Sequence, residues 1–261
     1  MVIEIDDPDG WDTNLKLLLT ENFDILFKHS EREIQIDLMP STDRWTAVNE
    51  YAVKRSRVVS SIEFEIKNCR LIGYHCTRLT DNEVQKIKRD GLSPLSQDLI
   101  RTRIANLLAE KQIDENLAQH LTSHNDSNHQ YRKGRVWFVC GKSTLKDSSS
   151  VIRLFQSWGG EALFSSHVND PSSSKRLRVL GKAHVITAIL NPSDLRLFVN
   201  LSHKIEEAFL ASRGVRTSNK PQFNTYSEKP ILPKQLIEIT PFGSSKFHEL
   251  TNYRNWTDHL T

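Results

Sequence analysis

Between residues 11 and 30, apolar side chains recur at helical spacing. Leu15, Leu18, Leu19, Phe23, Ile25 and Leu26 form a broad stripe, with Asp12 or Thr13 placed to cap it. The next segment, EIQIDLM, alternates apolar and polar residues at period two and predicts a half-buried strand, while STDRWTAVNEYAVKRSRVV predicts a Ser/Thr-capped helix. From VSSIEFEIKNCRLIGYHC the pattern returns to strand. The stretch Leu71 to Leu95 is the most completely specified part of the chain. Ile72 and Tyr74 lie on one face of an extended strand, and His75 and Thr77 point the other way. Thr80 and Glu83 have capping-box spacing, Val84 and Ile87 continue a helical face, and Gly91 ends it.

Further on, SQDLIRTRIANLLAEKQIDENLAQHL predicts one or two helices, SHNDSNHQYRKG an exposed loop, and RVWFVCG a short strand. VIRLFQSW predicts a Ser-capped helix closed by Gly159 and Gly160, and NDPSSSKRLRVLG a flexible basic segment. AHVITAIL predicts a strand, LRLFVN an extended piece, HKIEEAFLASRG a helix with Ser202 as a possible cap and Gly214 as its stop, and LIEI a strand before a less regular tail. Short strands mixed with irregular helices, and no regular βαβ repeat, predict an α+β fold. Residues 1–68 read as an accessory layer or subdomain and residues 69–261 as the main domain; no linker separates the two, so one continuous domain is the alternative.

Composition narrows the class. The chain has 261 residues, 38% hydrophobic and 26% charged, and its 11 Phe and 5 Trp supply enough core to exclude global disorder. The net charge of +3 permits a polyanionic partner but is far from the dense basic footprint of a dedicated nucleic-acid binder. No apolar run spans a membrane and the acidic start MVIEIDDPDGW lacks the layout of a secretion signal, so a cytoplasmic protein is expected. Cys69, Cys76 and Cys140 are odd in number, with no CxxC pair and no His at metal-ligand spacing; reduced thiols and no metal are expected. A Walker loop, a GxGxxG and a G-x-S-x-G elbow are all missing, which argues against an NTPase, a Rossmann dehydrogenase and a serine hydrolase.

The candidate chemistry centres on Tyr74-His75-Cys76-Thr77. A strand edge of this kind offers imidazole, hydroxyl and backbone groups to a nucleotide's ribose and carboxamide, although a His there also serves as a satisfied structural residue. The order Tyr-His-Cys-Thr, followed by a helix ending Ile87-Lys88-Arg89-Asp90-Gly91-Leu92, resembles the opening of the ADP-ribosyltransferase fold. In that fold a Tyr-His-Gly-Thr-like strand precedes a helix and a Gly-Leu or Gly-Phe. Gly134-Arg135-Val136-Trp137-Phe138-Val139 is similar to the family's second strand, with Trp137 where the His-Tyr-Glu branch carries Tyr.

The resemblance implies a split, mixed or antiparallel sheet surrounded by helices and NAD as co-substrate. It implies contacts from His75, Cys76, Thr77 and Trp137 to NAD, and a glutamate that stabilises the ribose as nicotinamide leaves. Glu228, before a Pro-rich turn into LIEI, is the first choice for that carboxylate; Glu161, after Gly159 and Gly160, is the rival. The segment around Trp158-Gly-Gly-Glu-Ala-Leu and Ser166-His167 is similar to bacterial phage-defence proteins that modify mRNA, within toxin, antitoxin and chaperone systems. This implies a nucleic-acid substrate, RNA over DNA, and antitoxin and chaperone partners. Arg101, Arg103, Arg132, Lys133, Arg135, Lys175, Arg176 and Arg178 are candidates for phosphate contacts, or a solubilising surface. Two other functions remain open: an inactive nucleotide- or partner-binding module of the same fold, and an RNA 2′-phosphotransferase.

Overall fold

A computed structural model of the chain describes residues 1–147, 149–197, 200–217 and 223–252. Phe198 and Val199 of LRLFVN, and the tail from residue 253, lie outside the described residues. The chain begins with a two-residue strand β1 (Val2–Ile3), then helices α1 (Thr13–Glu21), α2 (Phe23–Asp37), the short α3 (Ser41–Arg44) and α4 (Ala52–Ile66). Strand β2 (Arg70–Leu79) leads into α5 (Asp81–Asp90), α6 (Gln97–Ala109) and α7 (Glu115–Ser123). Strand β3 (Val136–Val139) is followed by α8 (Lys142–Asp147), α9 (Ser149–Gln156), α10 (Glu161–His167) and α11 (Pro171–Val179). The last part runs β4 (Lys182–Leu190), β5 (Leu195–Leu197), α12 (Leu201–Ser212), β6 (Asn224–Ser227), β7 (Leu236–Pro241) and α13 (Ser245–Thr251).

The fold is α+β. Among the described residues, seven strands form one mostly antiparallel sheet in the order β5-β6-β3-β2-β4-β7, with β1 added parallel to β2. The sheet is unevenly joined at its centre. Strand β2 pairs with β4 continuously from Leu71↔Leu190 to Leu79↔Lys182, but meets β3 only at Tyr74↔Val139. The two halves of the sheet therefore part beyond Tyr74. Alternation along β2 sends its side chains into different cores. Leu71 and Leu79 join a cluster with Leu15, Leu19, Ile62, Ile66, Ile186 and Phe209, so the N-terminal helices share one core with the sheet. Tyr74 and Cys76 join Val139, Val151, Phe155 and Val185 on the opposite face. A third cluster, with Ile104, Leu107, Trp158 and Leu163, packs α6 against the segment around α10.

Several local expectations are corrected by packing. EIQIDLM is not a strand: it continues α2 to Asp37 and pairs with no strand of the described sheet. SIEFEI is likewise helical, because Val58, Val59, Ile62 and Ile66 are the buried positions, at helical spacing, while Phe64 remains 76% exposed. The single helix expected over residues 41–59 is instead α3 and the start of α4, separated by the turn through Asn49. NDPSSSKRLRVLG is no flexible segment. Asp170 caps α11 by accepting from the Ser172 amide, Pro171 occupies the first turn, and Leu177 is buried. Asn200, not Ser202, caps α12. The loop after α7 is only partly exposed, since Ser127 is fully buried and the Asp126 amide donates to the Ala162 carbonyl.

The segment Leu71 to Leu95 folds as its pattern dictates. Thr80 and Glu83 form the reciprocal capping box, with the Thr80 amide donating to Glu83 Oε2 at 2.8 Å and the Glu83 amide to Thr80 Oγ1 at 3.3 Å. Gly91 ends α5 at φ +83°, where an added Cβ would meet the Ile231 carbonyl oxygen at 2.0 Å. That close approach lets Leu92 exchange backbone hydrogen bonds with Ile231, and Leu95 then accepts from the Gly134 amide and donates to the Arg135 carbonyl. The exit of the unit thus pins the start of β3. Among the described residues, no helix is long and apolar enough to cross a membrane.

Candidate active site

A cavity of about 410 Å3 opens where β2 and β3 part, a volume within the ~300–1,000 Å3 range of small-molecule sites. It is lined by His75, Cys76 and Thr77 from β2, Trp137 from β3, and Glu161 from the first turn of α10. Arg103 of α6, and Arg132 and Arg135 from the loop entering β3, line it too, as does Asn224 at the start of β6. Leu92, Leu95 and Leu99 provide apolar wall, with Val151 and Leu154 of α9 opposite.

His75 sits at the parting of the strands. Its Nδ1 lies 2.9 Å from the Trp137 carbonyl oxygen, bridging the sheet where the ladder ends. A carbonyl only accepts, so Nδ1 carries the proton of a neutral ring and Nε2 is left as an acceptor. Burial, helped by the nearby Arg103 charge, holds the imidazole below its usual pKa against the opposing pull of the carbonyl. Cys76 faces the apolar cluster on the other side, and burial raises its thiol pKa far above the usual range. It therefore offers the cavity its backbone rather than a nucleophile. Burial also pushes Cys69 up to about 11 and Cys140 up to about 12; all three thiols are free.

Trp137 is neither wholly buried nor fully open. Its ring lies 4.8 Å from Tyr226 at 55°, and the Arg135 guanidinium covers the Tyr226 ring at 4.2 Å. A cation, a tyrosine and a tryptophan thus form one cluster beside the cavity. Across from it, Arg103 Nε donates to Glu83 Oε1 at 2.6 Å and its guanidinium covers the Trp158 ring at 4.5 Å. The second Glu83 oxygen accepts from Trp158 Nε1 at 2.9 Å. Burial alone would raise the Glu83 pKa, but the charge and hydrogen bonds of Arg103, with those from Thr80 and Trp158, hold it below the usual value. The helix cap and the arginine holder are one carboxylate.

The two candidate glutamates part company here. Glu161 lines the cavity at the positive φ pair Gly159 (+84°) and Gly160 (+58°), and its Oε2 pairs with Arg132 Nε at 3.3 Å. Arg132 also reaches Asp126 Oδ2 and Ser165 Oγ, each at 3.3 Å, which fixes it at the rim. Glu228 is exposed, follows the last residue of β6, and does not line the cavity. Asn224 stands opposite Val139, where β3 still pairs with β2, and Ser227 stands opposite Val136. Glu228 lies four residues beyond Asn224, about 13 Å along an extended strand. Strand β6 does reach the cavity, but through an asparagine that the sequence reading passed over.

Of the eight basic residues singled out by sequence, Arg103, Arg132 and Arg135 line the cavity. Arg101 is an exposed partner of Asp98, and Lys175, Arg176 and Arg178 belong to α11. Three guanidiniums line the cavity and can meet an anionic ligand, but Glu83 pairs with Arg103, and Asp126 and Glu161 pair with Arg132, so much of that charge is already matched within the protein. No family model, curated protein or solved structure matches the chain.

Proposed function

We propose that this protein is an NAD-dependent ADP-ribosyltransferase acting on a macromolecule, with nucleic acid, RNA over DNA, as the acceptor. One observation carries the reading. The cavity at the parting of β2 and β3 gathers the tetrad His75, Cys76, Thr77 and Trp137 with a carboxylate, Glu161, and three arginines. In this scheme His75 Nε2 accepts from a ribose hydroxyl, the Cys76 backbone meets the carboxamide, and Thr77 supports the strand edge. Trp137 faces the nicotinamide ring, and the arginines hold the diphosphate. The bond from C1′ of the ribose to the nicotinamide nitrogen breaks, nicotinamide leaves neutral, and positive charge spreads over the ribose ring. Glu161 stabilises that charge, and an acceptor nucleophile attacks C1′ and gives up its proton. The resemblance to phage-defence toxins extends the proposal to a toxin with antitoxin and chaperone partners.

The test is incubation with labelled NAD and RNA, DNA or cell lysate. Wild type is expected to release nicotinamide and label RNA most. Glu161→Ala and His75→Ala each should lower the rate by about 10²-fold or more, with Glu228→Ala unchanged. Absence of nicotinamide release with every acceptor sinks the reading. NAD binding without turnover would instead favour the inactive binding module, which the engagement of Glu161 by Arg132 also supports. The arginine-rich lining is equally what an RNA 2′-phosphotransferase would want, and removal of a 2′-phosphate from RNA in the same assay identifies that activity.

A further inference from the structure

On the side of the molecule carrying α7, α10 and α11, three groups from three helices converge. His120 of α7 places Nε2 3.2 Å from Oδ2 of Asp170, the cap of α11. His167, the last residue of α10, is fully buried and holds Nδ1 2.9 Å from Ser173 Oγ, which itself lies 2.7 Å from Asp170 Oδ2. One donor atom from each of His120, His167 and Asp170 lies within 4.8 Å of the others. The remaining nitrogen of His167, Nε2, is 2.8 Å from the His124 carbonyl. A carbonyl forces the proton onto Nε2, so Nδ1 of the neutral ring keeps its lone pair, aimed at the Ser173 hydroxyl that bridges to Asp170. A backbone carbonyl behind one ring nitrogen is the support that metal-binding histidines ordinarily have.

We propose that His120, His167 and Asp170 form a site for a divalent transition metal, zinc by preference, that ties the ends of α7, α10 and α11 together. Two imidazoles with one carboxylate are a nitrogen-rich set that suits zinc and disfavours magnesium or calcium, which take oxygen ligands. At zinc bond lengths near 2.0–2.1 Å, tetrahedral ligand atoms stand about 3.4 Å apart. The His120–Asp170 edge is already 3.2 Å. The longer edges close by side-chain rotation, for which His120 and Asp170 have room at 42% and 39% side-chain exposure. Both also give an ion a path from solvent. The Ser173 hydroxyl, between His167 and Asp170, sits at the corner that it or a water fills as fourth ligand. Sequence spacing hides the site, because each ligand comes from a different helix. The site stands apart from the NAD cavity and does not depend on the function proposed for it.

The experiment uses the full chain with any affinity tag removed, stripped with chelator and titrated with zinc chloride by calorimetry, with melting temperature read in parallel. One equivalent of zinc and a raised melting temperature are expected. His120→Ala and Asp170→Asn, which change partly exposed side chains, each should weaken zinc at least tenfold while folding normally, and His129→Ala should not. No zinc uptake, uptake unaltered by both substitutions, or an equal rise with magnesium overturns the proposal. In the first two cases the cluster is a hydrogen-bonded network only.

Discussion

His75 shows how one residue joins fold and chemistry. Its Nδ1–H spans the gap between β2 and β3, and the same bond determines that Nε2 is the atom left to a ligand. Burial has a further effect. His29, His75 and His184 are each held below the ordinary histidine value of 6.5, with desolvation as the largest cause. Near that pH the unfolded chain takes up protons that the folded chain refuses, so stability falls as pH drops through about 6.5 and levels off above it. The melting temperature should therefore be lower at pH 5.5 than at pH 7.5, and His184→Gln should remove part of the difference. A melting temperature that is flat or rises toward acid over this range contradicts the assignment. The glutamates teach a related lesson: the sequence favours Glu228 over Glu161, and in the fold it is Glu161 that lines the cavity.

At the scale of elements, the unit from β2 through α5 to Leu95 is the part the site hangs on. Its helix start is written by Thr80 and Glu83, and its end by Gly91, whose φ of +83° and contact with the Ile231 carbonyl admit no side chain. Gly91→Ala should cost roughly 1–3 kcal/mol, read as a lower urea midpoint with an unchanged slope; a loss under about 0.5 kcal/mol, no more than an ordinary surface change, would show that the backbone relaxes there freely. Elements with such punctuation were legible from sequence. Those without it were not: EIQIDLM and SIEFEI satisfy a period of two over a few residues and a period of 3.6 as well, and only the tertiary structure decides for helix. Strand character needs a partner, which a short segment cannot announce. Helix α11 is the converse case, since Asp170-Pro171 is a good start signal concealed by a run of serines and basic residues.

Across the whole molecule, residues 1–68 and the sheet bury their apolar side chains in common. Ile3, Leu15, Leu19, Ile62 and Ile66 belong to one cluster with Leu71, Ile186 and Phe209, and Arg55 of α4 pairs with the buried Glu206 of α12 at 2.6 Å. Removing residues 1–68 would expose the sheet face and leave Glu206 buried without its arginine. The full chain should unfold in one cooperative transition, and a fragment of residues 69–261 should fail to melt cooperatively. A soluble fragment with its own sharp transition would show two separable domains.

By itself the amino-acid sequence determined the α+β class and the local build of Leu71 to Leu95, because caps, glycine stops and side-chain alternation act within a few residues. It also put His75, Cys76 and Thr77 on one strand edge. Which carboxylate shares their cavity is a matter of tertiary structure alone. Asn224 of β6 lines the cavity and the exposed Glu228 does not, while Glu161 lines it directly after two glycines at positive φ. Strand register and helix packing are long-range properties, and so is the meeting of His120, His167 and Asp170, whose positions in the chain give no hint that they touch.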